Sequence, residues 1–131
     1  QGIMHHFTRY WLPVIVYCTA IFVQSSYPSP DALPRFANSD KLLHFLAYGL
    51  LGALFCRAFN TLNRWRQRWD ALLIIGVVCA TAYGLSDEWH QSFVSERTWD
   101  TADLWADFVG SLAGSWIYLR ILRQKLKGTA S

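Results

Sequence analysis

The sequence predicts an all-α integral membrane protein, a four-helix transmembrane bundle with both termini cytoplasmic. Three observations predict it. Only 16% of the 131 residues are charged and 53% are hydrophobic, whereas soluble domains carry about 25% charged residues. Four apolar stretches recur along the chain, each close to the roughly 20 residues a helix needs to cross ~30 Å of hydrocarbon. Basic residues gather on one side of the resulting alternation.

The spans cover about residues 7–23, 42–59, 71–89 and 104–122. The first is short, and Pro13 kinks it. It reads as a span and not as a cleavable signal peptide, because no small-residue cleavage site follows. The third, from Ala71 to Tyr83, carries no charged side chain. A surface helix of a soluble bundle keeps one polar face, and this helix has none. The fourth follows Asp100 or Thr101 as N-cap. Gly110 and Gly114, flanked by Ser111 and Ser115, give it a small face for close helix packing.

Residues 4–127 form a single domain, and Gln1–Ile3 ahead of Met4 look like a cloning remnant. Between the first two spans, Pro28, Pro30 and Pro34 mark an irregular external loop. Arg57–Asp70 reads as a short basic hairpin. Cys18, Cys56 and Cys79 lie inside apolar runs with no short spacing, which indicates neither a disulfide frame nor a zinc site. Nothing in the pattern points to nucleic acid. Helices of this size also suit a dimer, and no residue favours either oligomeric state.

Orientation follows from the cations. Arg9, Arg57, Arg64, Arg66, Arg68, Arg120, Arg123, Lys125 and Lys127 fall on one side, Arg35, Lys41 and Arg97 on the other. Nine against three makes the first side cytoplasmic. Of the acidic residues, Asp70 alone joins it. Trp65, Trp69 and Trp116 then mark the inner interface, and Trp89, Trp99 and Trp105 the outer one.

Residues with chemistry cluster at the outer ends. Lys41, His44 and Tyr48 share a face of the second span, at i, i+3, i+7 spacing. Tyr83, Asp87 and Gln91 follow i, i+4, i+8 on the third, with Glu88 beside them. Asp103 and Asp107 lie on one stripe of the fourth with Gly110 and Gly114. An ionisable group at mid-bilayer costs ~2.5–3.5 kcal/mol, less towards the interface. These groups are therefore expected to turn inward and pair. Lys41 and Arg97 are the nearby permanent cations, so an ion pair should join the start of the second span to these carboxylates. Asp40, Glu96 and Asp100 read better as capping or interfacial residues.

These residues resemble the motifs of a known family, the VanZ-like membrane proteins. Asp40-Lys41-x-x-His44-x-x-x-Tyr48-Gly49 is similar to the first motif and Tyr83-Gly84-x-x-Asp87-Glu88-x-x-Gln91-x-Phe93 to the second. Arg97 with Asp103, Asp107 and Gly110 resembles the third, and Ser25-Ser26 also fits. The chain departs in having Ser95-Glu96 where relatives often have Pro-Gly, and Asp107 where they often have Asn. The resemblance implies a multi-pass protein of the bacterial cytoplasmic (inner) membrane. It also implies a link to low-level resistance to the glycopeptide teicoplanin, which no residue pattern here carries.

Two functions follow. In the first, the polar cluster binds an amphiphilic envelope component: a lipid headgroup, a lipid-linked precursor or a lipoglycopeptide. Lys41, His44 and Arg97 would hold anionic groups and the carboxylates amines, with Tyr48, Tyr83, Asp87, Glu88, Gln91, Asp103 and Asp107 completing the binding set. In the second, an intramembrane enzyme acts on a lipid-linked substrate, with His44, Asp87 and Glu88 as catalytic candidates. Asp87, Glu88, Asp103 and Asp107 are the candidates for holding a divalent cation, joined by Asp100, which stands at i, i+3, i+7 spacing with Asp103 and Asp107. A binder should hold a lipid-like molecule and no metal. An enzyme should bring His44 within one water of a carboxylate, or carboxylates to metal-ligand separation.

Overall fold

A computed structural model describes residues 1–27, 39–94 and 99–131, without the Ser39 side chain. They form five helices and, among the described residues, no strand: α1 (Gly2–Tyr10), α2 (Leu12–Ser25), α3 (Ser39–Phe59), α4 (Trp69–Gln91) and α5 (Thr101–Thr129). The proline-rich external loop and the Ser95-Glu96 segment lie outside the described residues.

The expected first span is divided. Pro13 has no N–H to donate, and its ring crowds the carbonyl of Arg9, so the helix from the N-terminus stops at Tyr10 and restarts with Pro13 in its first turn. The break is mild: Trp11 keeps helical angles, its N–H donating to the Phe7 carbonyl at 2.9 Å. α2 alone has 14 residues, about 21 Å of rise. The other three helices cover the remaining expected spans and extend beyond them. Asp40–Phe59 of α3 and Trp69–Gln91 of α4, each with mean hydropathy 1.6, are long and apolar enough to cross a membrane. α5 carries Asp103, Asp107, two glycines and two serines through its first half, which lowers its hydropathy at full length.

The interior explains that composition. α3 and α5 approach until their backbones touch. A Cβ at Gly114 would press into the Gly49 backbone and one at Gly110 into the Phe45 backbone. Close approach of this kind replaces side-chain interdigitation with backbone van der Waals contact. Around the seam the fully buried side chains include Tyr48, Leu51, Leu72 and Cys56, but also Glu88, Asp107, Ser111 and Ser115. Large aliphatics point the other way: Ile74 is 63% exposed and Val78 55%. A water-soluble fold hides its large aliphatics and exposes its carboxylates; this bundle buries Glu88 and Asp107 and leaves Ile74 and Val78 bare.

α2 leans on this core through few groups. The Tyr17 hydroxyl donates to the Ala47 carbonyl at 2.8 Å, and the Tyr83 hydroxyl to the Cys18 carbonyl at 2.5 Å. Between α3 and α4 the chain turns through Gln67, whose φ of 57° is left-handed; its N–H donates to Asn60 Oδ1 at 2.8 Å. At that same end a groove of about 300 Å³ lies among Trp69, Asp70, Leu73, Trp116, Leu119, Arg120 and Arg123. Arg57 ties α1 down, donating to the Arg9 carbonyl at 2.9 Å.

Candidate functional site

The opposite end, where α3 and α5 begin and α4 finishes, holds the polar cluster. Lys41, one turn into α3, is ion-paired to three carboxylates: Asp40 at 3.0 Å, Asp100 at 2.8 Å and Asp103 at 3.0 Å. The expected ion pair to the fourth span's acids is thus present. Asp100 also caps α5, its other oxygen accepting from the Ala102 N–H at 2.9 Å. The Lys41 ammonium, together with that N–H, holds the Asp100 carboxyl below its ordinary value. An ammonium has three protons to donate, and all three of these meet carboxylates. Lys41 therefore has no donor left for an anionic ligand.

One helical turn further in, His44 Nδ1 lies 2.8 Å from Asp107 Oδ1. An ionised carboxylate only accepts, so against it Nδ1 carries a proton, and in the neutral imidazole Nε2 then keeps its lone pair. Nε2 lies 3.7 Å from Asp103 Oδ2. Asp107 is fully buried in a notch made by Gly84, where a Cβ would collide with the carboxylate. Glu88, also fully buried, receives the Asp100 N–H on Oε2 at 3.3 Å. Glu88 Oε1 and Asp107 Oδ2 are buried with no hydrogen-bond partner among the described residues. Buried unpaired polar atoms are rare, because each costs about 1–3 kcal/mol and more for a charged group.

A second polar patch runs toward α2. The Tyr48 hydroxyl donates to Asp87 Oδ2 at 3.1 Å. The Gln91 amide donates to the same oxygen at 3.2 Å and to Ser25 Oγ at 3.2 Å. Asp87 and Glu88 are adjacent in sequence, and adjacent helical positions diverge by about 100°. Asp87 thus serves the Tyr48–Gln91–Ser25 network, while Glu88 faces His44.

The expected residues consequently divide. His44, Glu88, Asp103 and Asp107 converge, with Lys41 at their rim. Asp87, Tyr48 and Gln91 form the neighbouring patch. Tyr83 turns its hydroxyl to the α2 backbone instead of the carboxylates. Arg97 lies outside the described residues. The expected metal set of Asp87, Glu88, Asp103 and Asp107 is not the one whose ligand atoms approach. One atom each from His44, Glu88 and Asp103 lies within 4.8 Å of the other two, as does a more exposed trio of Asp40, Asp100 and Asp103. That second trio surrounds the Lys41 ammonium. Asp100, expected first of all as a cap, fills that role with one oxygen and meets Lys41 with the other.

A model of the VanZ/LLP1 family matches residues 5–123 of this chain. An uncharacterized protein of Schizosaccharomyces pombe is 32% identical over 121 residues, covering 92% of this chain and 69% of the relative. No solved structure matches the chain.

Proposed function

Because the chain belongs to the VanZ/LLP1 family, we propose that it is a four-span membrane enzyme acting on the polar headgroup of a lipid-linked substrate. In this reading α1 and α2 together make the first span, α3, α4 and α5 the others. The arginine-rich turn and both termini lie on the cytoplasmic side, and the His44 cluster faces the other leaflet. The sorting of cations supports that orientation, and the outward-facing Ile74, Val78 and Ile117 support contact with lipid.

The observation that carries the catalytic reading is the His44–Asp107 pair at 2.8 Å. A buried carboxylate that fixes the tautomer and orientation of an imidazole makes the opposite ring nitrogen a directed base. His44 Nε2 would take a proton from a water attacking an ester or phosphoester of the headgroup, the bond to the leaving alcohol would break, and the imidazolium, stabilised by Asp107, would return the proton to that alcohol. Proximity within hydrogen-bond reach was the distinguishing mark expected of an enzyme. The relative in Schizosaccharomyces pombe, a eukaryote, favours a lipid common to both kinds of cell over a glycopeptide. A resistance role rests on the resemblance alone.

A passive binder remains the second reading, favoured by the surplus of carboxylates, which suits an amine-bearing headgroup better than a bare anion. The chain reconstituted in bilayers of mixed phospholipids and polyprenyl phosphates separates the two. His44→Gln should lower turnover about a hundredfold while co-purified lipid, read by mass spectrometry, stays constant. Lipid retention lost without any turnover in the parent protein would establish the binder instead. Asp87→Asn tests the neighbouring patch, and unchanged retention and turnover would remove Asp87 from the site.

A further inference from the structure

We infer that His44, Glu88 and Asp103 form a site for a divalent transition-metal ion, Zn²⁺ or Mn²⁺, which rests on the reading of this cluster as catalytic and deepens it: with the ion bound, His44 Nε2 is a ligand, and a water activated on the ion takes the place of the imidazole base. The first observation is convergence. One imidazole and two carboxylates from three different helices bring ligand atoms within 4.8 Å of one another. Zinc bonds of ~2.0–2.2 Å in a tetrahedral set place ligand pairs about 3.5 Å apart. His44 Nε2 and Asp103 Oδ2, at 3.7 Å, already stand near that separation, and a Glu88 oxygen completes the trio within 4.8 Å.

The second observation is independent of the cluster's composition. Glu88 is fully buried, one of its carboxylate oxygens belongs to the cluster, and its Oε1 has no partner among the described residues. A carboxylate oxygen left bare in an apolar bundle calls for a cation. Among the described residues the nearby permanent cation is Lys41, and its protons are committed to Asp40, Asp100 and Asp103.

The third observation is how the ligands are held. Every ligand residue has its other polar atom fixed: His44 Nδ1 by Asp107, Glu88 Oε2 by the Asp100 N–H, Asp103 Oδ1 by Lys41. Ligating histidines ordinarily give their second N–H to a carboxylate in this way, which orients the ring and raises its basicity. The atoms left over are Nε2, Oε1 and Oδ2. A neutral imidazole and two carboxylates balance a divalent charge. The imidazole selects Zn²⁺ or Mn²⁺ over Ca²⁺ and Mg²⁺, which prefer all-oxygen shells. Three protein ligands leave a position open for a water or a headgroup oxygen.

The test uses the full chain in detergent micelles, in a His5→Ala, His6→Ala background, because those exposed N-terminal histidines bind Zn²⁺ adventitiously. After dialysis against ZnCl2 and then metal-free buffer, elemental analysis should find one Zn²⁺ per chain. Glu88→Gln should weaken Zn²⁺ binding at least thirtyfold by calorimetry, and Asp107→Asn about ten- to a hundredfold through the ring it orients. Asp70→Asn, at the other end of the bundle, should bind as the parent does. Titration of the parent with CoCl2 guards against a misfolded variant: a visible spectrum typical of mixed nitrogen and oxygen ligation is expected. Absent binding in the parent, parent-like affinity in Glu88→Gln, or tighter binding of Ca²⁺ than of Zn²⁺ would each overturn the proposal. If the metal is absent while His44→Gln still abolishes turnover, the metal fails and the catalytic reading stands. If the metal binds but no lipid is turned over or retained, the site stands and the functional reading falls.

Discussion

Single residues at the polar end differ sharply in what they support. Lys41 neutralises two carboxylates that also cap and orient α5, so Lys41→Gln should lower the thermal midpoint in micelles by several degrees. Asp40 shares the same ammonium but is 62% exposed, and screening reduces such a pair to little. Asp40→Asn should therefore leave stability within about 0.5 kcal/mol of the parent, measured by SDS-induced unfolding. A drop as large as that of Lys41→Gln would show that the ammonium serves Asp40 first. Tyr48→Phe removes one of the two donors to Asp87 Oδ2 and should cost about 1–2 kcal/mol in the same titration. Much of this end was legible in the sequence. His44, Asp103 and Asp107 fall on inward faces by helical periodicity, and the bilayer leaves charged groups no outward alternative. Which carboxylate meets which partner was not legible. Asp87 and Glu88 are neighbours in the chain, and only the rotation of α4 against α3 and α5 decides that Glu88, not Asp87, meets the imidazole.

Among the elements, α3 and α5 depend on absent side chains. Gly114→Leu would drive a side chain into the Gly49 backbone, where neither partner has a rotamer to move. A loss of about 3 kcal/mol or more is expected, at or above the top of the usual range for overpacking, whereas Gly128, with nothing within 4 Å, should accept Leu without measurable cost. Equal effects at the two positions would mean that the seam is not the contact holding the pair. The small-residue stripe announced this packing from the sequence alone. The turn between α3 and α4 hid its one special conformation, because glutamine gives no sign of a left-handed backbone. Gln67→Gly should stabilise by up to about 1 kcal/mol, by relieving the Cβ clash at φ 57°. The division of the first span had a visible cause in Pro13. Its consequence, two helical pieces offset at Trp11, depends on which register the rest of the bundle accepts.

For the whole molecule, the topological reading makes a direct forecast. A single cysteine at Gln67, in a background without the three native thiols, should react with a membrane-impermeant maleimide only after the bilayer is opened. Labelling of intact cells at that position would invert the molecule and put the His44 cluster in the cytoplasmic leaflet. Composition and charge sorting made the helical class legible without coordinates, because hydrocarbon permits few alternatives to helices with satisfied backbones. The division of labour among the helices was not legible, since it depends on distances that no one-dimensional pattern contains. Among the described residues, α2 grips its neighbours by three hydrogen bonds, from Tyr17, from Tyr83 and between Gln91 and Ser25, while α3 and α5 are welded backbone to backbone. Mechanical extraction by the N-terminus should accordingly proceed in two stages. A weak early rupture would free the leading pair of helical pieces, and a stronger late one would break the remaining trio.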